Sequence, residues 1–348
     1  MKLGLHTYSY HYAAGLWDYT PRDNPAMAME HYLQKAAELD LDGLFLADAR
    51  HLDSLDYGYI AGLRDKAAAL GLYLEMGATG TNPDYLQNMV RTAHVLGSPV
   101  VRTIVDKPRP DSPSAISEWL AASARELRET LAICERYAVT LAIENGPQMT
   151  TGELLRLLEL VESRWVGVCF DSANPIAVME DPVEAARALA PLARTVHLKD
   201  YRLSARPDGF FLVGCALGEG VVDLTSVLEL VSTHASRVNV NIESFIGKQS
   251  LPVLEEQYLA QFPESPARAL GRTLRLVRDR GLSHTPALPT ERGASEDELL
   301  TEEDELVLRS VRWAQQALGR QSPAGQASGD TAGPPEGRPA GTSDSRDQ

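Results

Sequence analysis

Short runs of alternating apolar and polar residues recur along the chain, and between them lie longer stretches with apolar positions at helical spacing. The runs are KLGLHTY, DGLFLAD, LYLEMGA, VVRTIV, TLAIENG, VGVCFDS, TVHLKD and VNVNIES, and each predicts a strand. They start near residues 2, 43, 72, 100, 140, 166, 194 and 238. Gaps of about 26 to 44 residues between starts leave room for a helix that returns the chain to the same end of the sheet. Helix starts are marked where a capping side chain precedes proline, at Asn24, Asn82, Ser112, Asp181 and Ser265. Thr150 with Glu153 and Asp181 with Glu184 have capping-box spacing, and Gly71, Gly97 and Gly281 follow apolar periodic segments as helix stops. Eight strand-helix alternations over about 280 residues predict an α/β chain closed as a (β/α)8 barrel.

The barrel is expected over residues 1–283. Residues 284–320 read as a linker and an amphipathic helix that opens on Ser295 and Glu298 and carries Leu300, Val307, Val311, Ala314 and Leu318 on one stripe. That stripe is expected to pack on the barrel's outer wall. Residues 321–348 are rich in Gly, Pro, Ser and Ala and are expected to be disordered.

Composition narrows the function. With 33 Lys and Arg against 48 Asp and Glu, the formal net charge of −15 opposes a broad electrostatic hold on nucleic acid or an anionic membrane. No signal-peptide pattern and no spanning segment is seen, so a cytoplasmic protein is expected. Cys134, Cys169 and Cys215 are too few and too scattered for a disulfide framework or a thiolate zinc site. Self-association into a homo-oligomer stays open.

Strand parity separates the polar residues. Leu141, Ile143, Val168, Phe170, Val196, Leu198, Val240 and Ile242 share the parity that faces the helices. Glu144, Asp171, His197, Lys199 and Glu243 share the inward parity near the strand ends. Three carboxylates and an imidazole converging in a partly desolvated mouth are costly unless a cation neutralises them. One divalent ion would do so. Oxygen donors with one imidazole and no thiolate favour Mn2+, Mg2+ or Co2+, with Zn2+ also compatible.

The succession AIENG, FDSANP, HLKD and IES, in that order on four successive strands, resembles the xylose-isomerase-like TIM-barrel superfamily, especially its sugar epimerase, isomerase and dehydratase branch. The likeness covers residues 1 to about 281. It implies that Glu144, Asp171, His197 and Glu243 are metal ligands, with Glu144 and Glu243 also the catalytic acid and base pair. The endonuclease IV type of DNA-repair enzyme is a relative that holds three zinc ions with further histidines. Here Asn174 stands where that type has a histidine, LEMGATGTN offers none, and no Asp-x-His follows His197, so one metal is expected.

Substrate contacts are expected from His6, Glu75, Arg102, Asn174, Lys199, Arg202 and Lys248. Tyr12, Trp17 and Tyr19 could form a lid, and Gly218-Glu219-Gly220 could offer backbone to a phosphate, although the Glu219 charge opposes one. The leading reading is a divalent-metal-dependent isomerase or epimerase of a small polyhydroxy carbonyl compound, working through a metal-stabilised enediolate. A decarboxylase or dehydratase of an oxo sugar acid would use the same enolate. A non-catalytic scaffold barrel is the third reading.

Overall fold

Closing a sheet into a barrel leaves no unpaired strand edge, and the apolar parity of every strand here has a helix layer to face. The computed structural model describes residues 1–15, 27–48, 52, 54–262 and 267–320. In chain order the strands are β1 (Lys2–His6), β2 (Gly43–Leu46), β3 (Tyr73–Gly77), β4 (Val100–Thr103), β5 (Thr140–Glu144), β6 (Val166–Asp171), β7 (Ala193–Leu198), β8 (Tyr201–Arg206), β9 (Gly209–Gly214), β10 (Asn239–Ile242) and β11 (Lys248–Leu251). The ring β1-β10-β7-β6-β5-β4-β3-β2 is closed and parallel, the expected (β/α)8 barrel. Its eight strands begin within one residue of the starts read from the pattern.

The helices are α1 (Met29–Glu38), α2 (Tyr57–Ala69), α3 (Pro83–Leu96), α4 (Pro113–Tyr137), α5 (Thr151–Val161), α6 (Pro182–Leu189), α7 (Leu224–His234), α8 (Glu256–Ala260), α9 (Ala267–Arg280) and α10 (Glu296–Ala317). Asn82, Ser112 and Asp181 cap α3, α4 and α6, and Thr150 with Glu153 closes a full capping box on α5. Each such cap is worth about 1 kcal/mol. Gly97 ends α3 at φ 81°, a left-handed value that a side chain would resist. The caps expected at Asn24 and Ser265, the residues Trp17 and Tyr19, and the tail from 321 lie outside the described residues.

Outward residues Leu141, Ile143, Val168, Phe170, Val196 and Leu198 join one core with helix residues Leu154, Leu157, Leu189 and Val227. Inward Val100, Ala142 and Cys169 form a separate cluster inside the barrel. The floor is closed by the Tyr73 ring, which lies where a Cβ on Gly4 or Gly43 would stand.

One feature differs from the sequence pattern. The stretch after β7, where the pattern marks no strand, folds into a hairpin of β8 and β9 that β11 joins in an antiparallel sheet. The signal was the Asp208-Gly209 pair between two short apolar runs. Helix α9 packs on β8 and ends with a bridge between Ser204 and Leu282.

Helix α10 packs against β10 and the 3-10 turn that follows β1, between α1 and the loop leading into α7. Near its start Glu303 and Asp304 meet Ala13 and Tyr10 just past the end of β1, and farther along Gln315 donates to Leu39 O. It therefore runs antiparallel to the strands, as a barrel helix does, and takes the remaining place in the wall. Its buried face is Leu299, Glu303, Leu306, Val307, Ser310, Val311, Ala314 and Gln315, while Leu300 and Leu318 are only half-buried. Leu306→Ala should therefore cost about 2 to 5 kcal/mol in chemical unfolding, as at any core leucine. A cost near zero would mean that α10 is not part of the barrel wall.

Candidate functional site

Parity and strand ends bring the polar residues to one mouth. Glu144 closes β5, Asp171 closes β6, His197 lies near the end of β7, and Glu243 follows β10 directly. Asp171 and His197 are fully buried, and Glu144, Lys199 and Glu243 keep only about one-twentieth of their surface. Above them opens a cavity of about 700 Å3, lined by His6, Tyr8, His11, Tyr12, Arg102, Glu144, Asn174, Lys199, Glu243, Phe245 and Lys248 among others.

The imidazole of His197 turns Nδ1 toward both glutamates, 2.9 Å from Glu243 Oε2 and 3.8 Å from Glu144 Oε2. Its Nε2 lies 3.4 Å from Cys169 Sγ. Lys199 Nζ bridges Asp171 Oδ2 at 2.9 Å and Glu243 Oε1 at 2.5 Å. On the other side, Arg102 Nε lies 2.8 Å from Glu144 Oε2 and Asn174 Nδ2 donates to Glu144 Oε1 at 3.0 Å. His6 Nε2 is 3.5 Å from Glu243 Oε2, its ring stacked on Phe45.

Backbone and amide contacts hold this set. Asp171 Oδ1 accepts from the N–H groups of Ala173 and Asn174, and Asn145 both accepts from Asp171 N and donates to Asp171 O. Asn145 thus ties the end of β5 to the end of β6. Ser172 Oγ pins Lys199 by accepting from its N–H and donating to its carbonyl.

Burial sets the charges. It pushes the Asp171 carboxyl up, against the pull of Lys199. It also opposes the charge on Glu243, but Lys199, His6 and His197 outweigh it and hold Glu243 well below the usual carboxylate range. Burial works against the Lys199 ammonium too, yet Asp171 and Glu243 raise it well above a free lysine. His6 is driven down by burial and is neutral at pH 7.

Glu144 Oε2, Asp171 Oδ2, His197 Nδ1 and Glu243 Oε2 are each buried without a well-aligned hydrogen bond. Among the described residues, His6, His197 and Glu243 form one group close enough to share an ion, and Glu144, Cys169 and His197 form another. Asp171 falls in neither group, its Oδ2 being paired with Lys199, and the second group includes a thiol; carboxylate oxygens and imidazole are donors that a divalent cation accepts, and Lys199 is the internal cation that an ion shared by all four expected ligands would have to displace.

The other expected contacts divide. His6, Arg102, Asn174, Lys199 and Lys248 border the cavity, the last paired with Glu291 at 2.6 Å. Glu75 does not. It sits on the barrel floor, where its carboxylate accepts from Thr195, Asn239 and Asn241, and burial raises its pKa. Inward parity was right, but its place at mid-strand puts it below the mouth. Arg202 also stands apart, because β8 carries it to the hairpin, where it pairs with Glu219 at 2.7 Å. The N–H groups of Gly218 and Gly220 are taken by the Asp200 carboxylate, together with those of Tyr201 and Val222, so an internal anion fills the place considered for phosphate.

His11 and Phe245 are wall residues that the pattern did not single out. His11 stacks on Tyr8 and lies tilted against Tyr12, and burial lowers it to about 4. A histidine depressed in the folded state contributes stability that is complete above pH 6.5 and is lost as pH falls toward 4. The span corresponds to about 3 kcal/mol. His11→Asn should flatten the stability curve between pH 6.5 and 4 in urea unfolding; an unchanged slope contradicts the buried neutral imidazole. Mn2+ should raise the melting temperature of the wild-type protein, and Asp171→Asn should weaken Mn2+ binding by more than about 100-fold, beyond the range for loss of an outer hydrogen bond. Equal Mn2+ affinity in the two proteins contradicts the donor set.

A model of the xylose isomerase-like TIM barrel matches residues 33–261. The 3-oxo-isoapionate decarboxylase of Pectobacterium atrosepticum is 25% identical over 256 residues, 72% of this chain and 88% of that protein. A crystal structure of D-psicose 3-epimerase with D-fructose has a TM-score of 0.59 at 15% identity and covers 92% of this chain and 100% of its own. The protein IolI, crystallised with a zinc atom, has a TM-score of 0.52 at 16% identity and covers 82% of this chain and 100% of its own. The two structural likenesses speak for the fold, and the family match extends through the strands that carry Glu144, Asp171, His197 and Glu243: the chain belongs to the xylose isomerase-like TIM-barrel family.

Proposed function

We propose that this chain is a metal-dependent enzyme that forms an enolate from a small oxo sugar acid by releasing CO2. The observation that carries this reading is Lys199, buried at the cavity wall and held protonated between Asp171 and Glu243. With Arg102 beside Glu144, it gives the cavity two buried cations that a substrate carboxylate can meet. The likeness to a decarboxylase over most of both chains supports the same choice.

Glu144, Asp171, His197 and Glu243 would hold a divalent ion, which when bound acts as a Lewis acid on a substrate carbonyl. Lys199 and Arg102 orient the carboxylate. The bond between that carboxylate and the carbon next to the carbonyl breaks, its electron pair passes into the enolate, and CO2 leaves. A proton from the exchangeable groups of the cavity is then delivered to that carbon in place of the lost CO2. Asn174 and Arg102 keep Glu144 in place, and the buried walls limit water.

A second reading is favoured by Glu144 and Glu243 both bordering the cavity, separated around the ring by β6 and β7. Two such carboxylates could remove and return a proton on a neutral ketose, which is epimerisation.

Proton NMR in D2O with Mn2+, run on four- to six-carbon oxo acids and ketoses, separates the two. Decarboxylation should give a product with one deuterium at the carbon that lost CO2, and Lys199→Met should slow it about 10- to 100-fold, the effect of losing a charge-assisted hydrogen bond. Ketoses that exchange hydrogen while no acid loses CO2 would overturn this reading in favour of epimerisation. No turnover of either class would favour a scaffold.

A further inference from the structure

We infer that Glu303, on the last helix, is a positioning residue that sets one wall of the cavity. The inference rests on the reading of that cavity as the substrate site. Glu303 is fully buried, 291 residues along the chain from the loop it touches. Its Oε1 accepts from the N–H of Tyr12 at 2.7 Å and its Oε2 from that of Ala13 at 3.0 Å. Oε1 also stands 3.3 Å from His11 Nδ1. A carboxylate buried at the mouth end of a wall helix is costly, and these contacts help to offset it.

The segment so held faces the substrate space. Tyr8, His11 and Tyr12 line the cavity, and the Tyr8 and His11 rings pack against that of Phe245. Along the same segment, Ser9 Oγ donates to Ile242 O and accepts from Ser244 N, a clamp on both sides of Glu243. Glu303 thus governs the aromatic wall while Ser9 separately holds the carboxylate. Losing Glu303 should loosen substrate binding more than it slows chemistry.

The test compares Glu303→Ala with Ser310→Ala in the full chain. Ser310 is buried on the same helix, where it bonds Leu217 N at 3.2 Å and lines no part of the cavity. By hydrogen exchange, the Tyr12 and Ala13 amides should exchange at least about tenfold faster in Glu303→Ala but not in Ser310→Ala. Glu303→Gln, which keeps one acceptor, should recover part of that protection. On whichever sugar or sugar acid turns over with Mn2+, KM should rise about tenfold in Glu303→Ala with kcat within about threefold.

Equal exchange in the two alanine variants would overturn the inference, as would faster exchange with unchanged KM. If no compound turns over in wild type, the functional reading fails and not this one. The His11 imidazole 15N signals then decide: they should shift in Glu303→Ala and stay in Ser310→Ala, and unshifted signals would overturn it.

Discussion

Three carboxylates delivered to one buried mouth are the constraint around which the rest is arranged. Glu144, Asp171 and Glu243 come from strands whose outward faces must pack on helices, so parity leaves their acidic ends no direction but inward. Like charges at this depth persist only with opposite charge or donors at contact distance. Lys199, Arg102 and His197 supply the charge and the imidazole; Asn145, Asn174 and the turn after β6 supply the donors. Glu144 Oε2, Asp171 Oδ2, Glu243 Oε2 and His197 Nδ1 are held by these charges rather than by well-aligned hydrogen bonds.

That mouth is only as well defined as its surroundings. The sheet of β8, β9 and β11 stands at one side, and Asp200 collects four N–H groups to fix the loop beneath it. Opposite, the turn after β1 is fastened by a helix from the far end of the chain. The barrel is closed by β1 pairing with β10, and Glu303 adds contacts to residues about 290 positions away in that turn. Helix α10 and the turn after β1 therefore meet beside the cavity.

Much of this was legible in the sequence because two periods suffice for it. A period of two identified the strands and sent Glu144, Asp171, His197 and Glu243 inward; capping chemistry marked the helix starts. What the periods do not carry is height along the barrel axis and which partner covers a face. Glu75 has the right parity but lies too low, since strand tilt and register decide depth. Arg202 lies on a hairpin whose Asp208-Gly209 turn outweighs the loop-like composition before it. Glu303 falls on an apolar stripe where nothing local announces that a loop near residue 12 will need its oxygens.

Anomalous diffraction from crystals grown with Mn2+ addresses the carboxylate mouth most directly. A single peak is expected within bonding distance of Glu144, Asp171, His197 and Glu243, with the Lys199 ammonium displaced from between Asp171 and Glu243. Full-occupancy Lys199 in its bridging position and no peak at the mouth would contradict it, and would make the lysine itself the cation the site was built around.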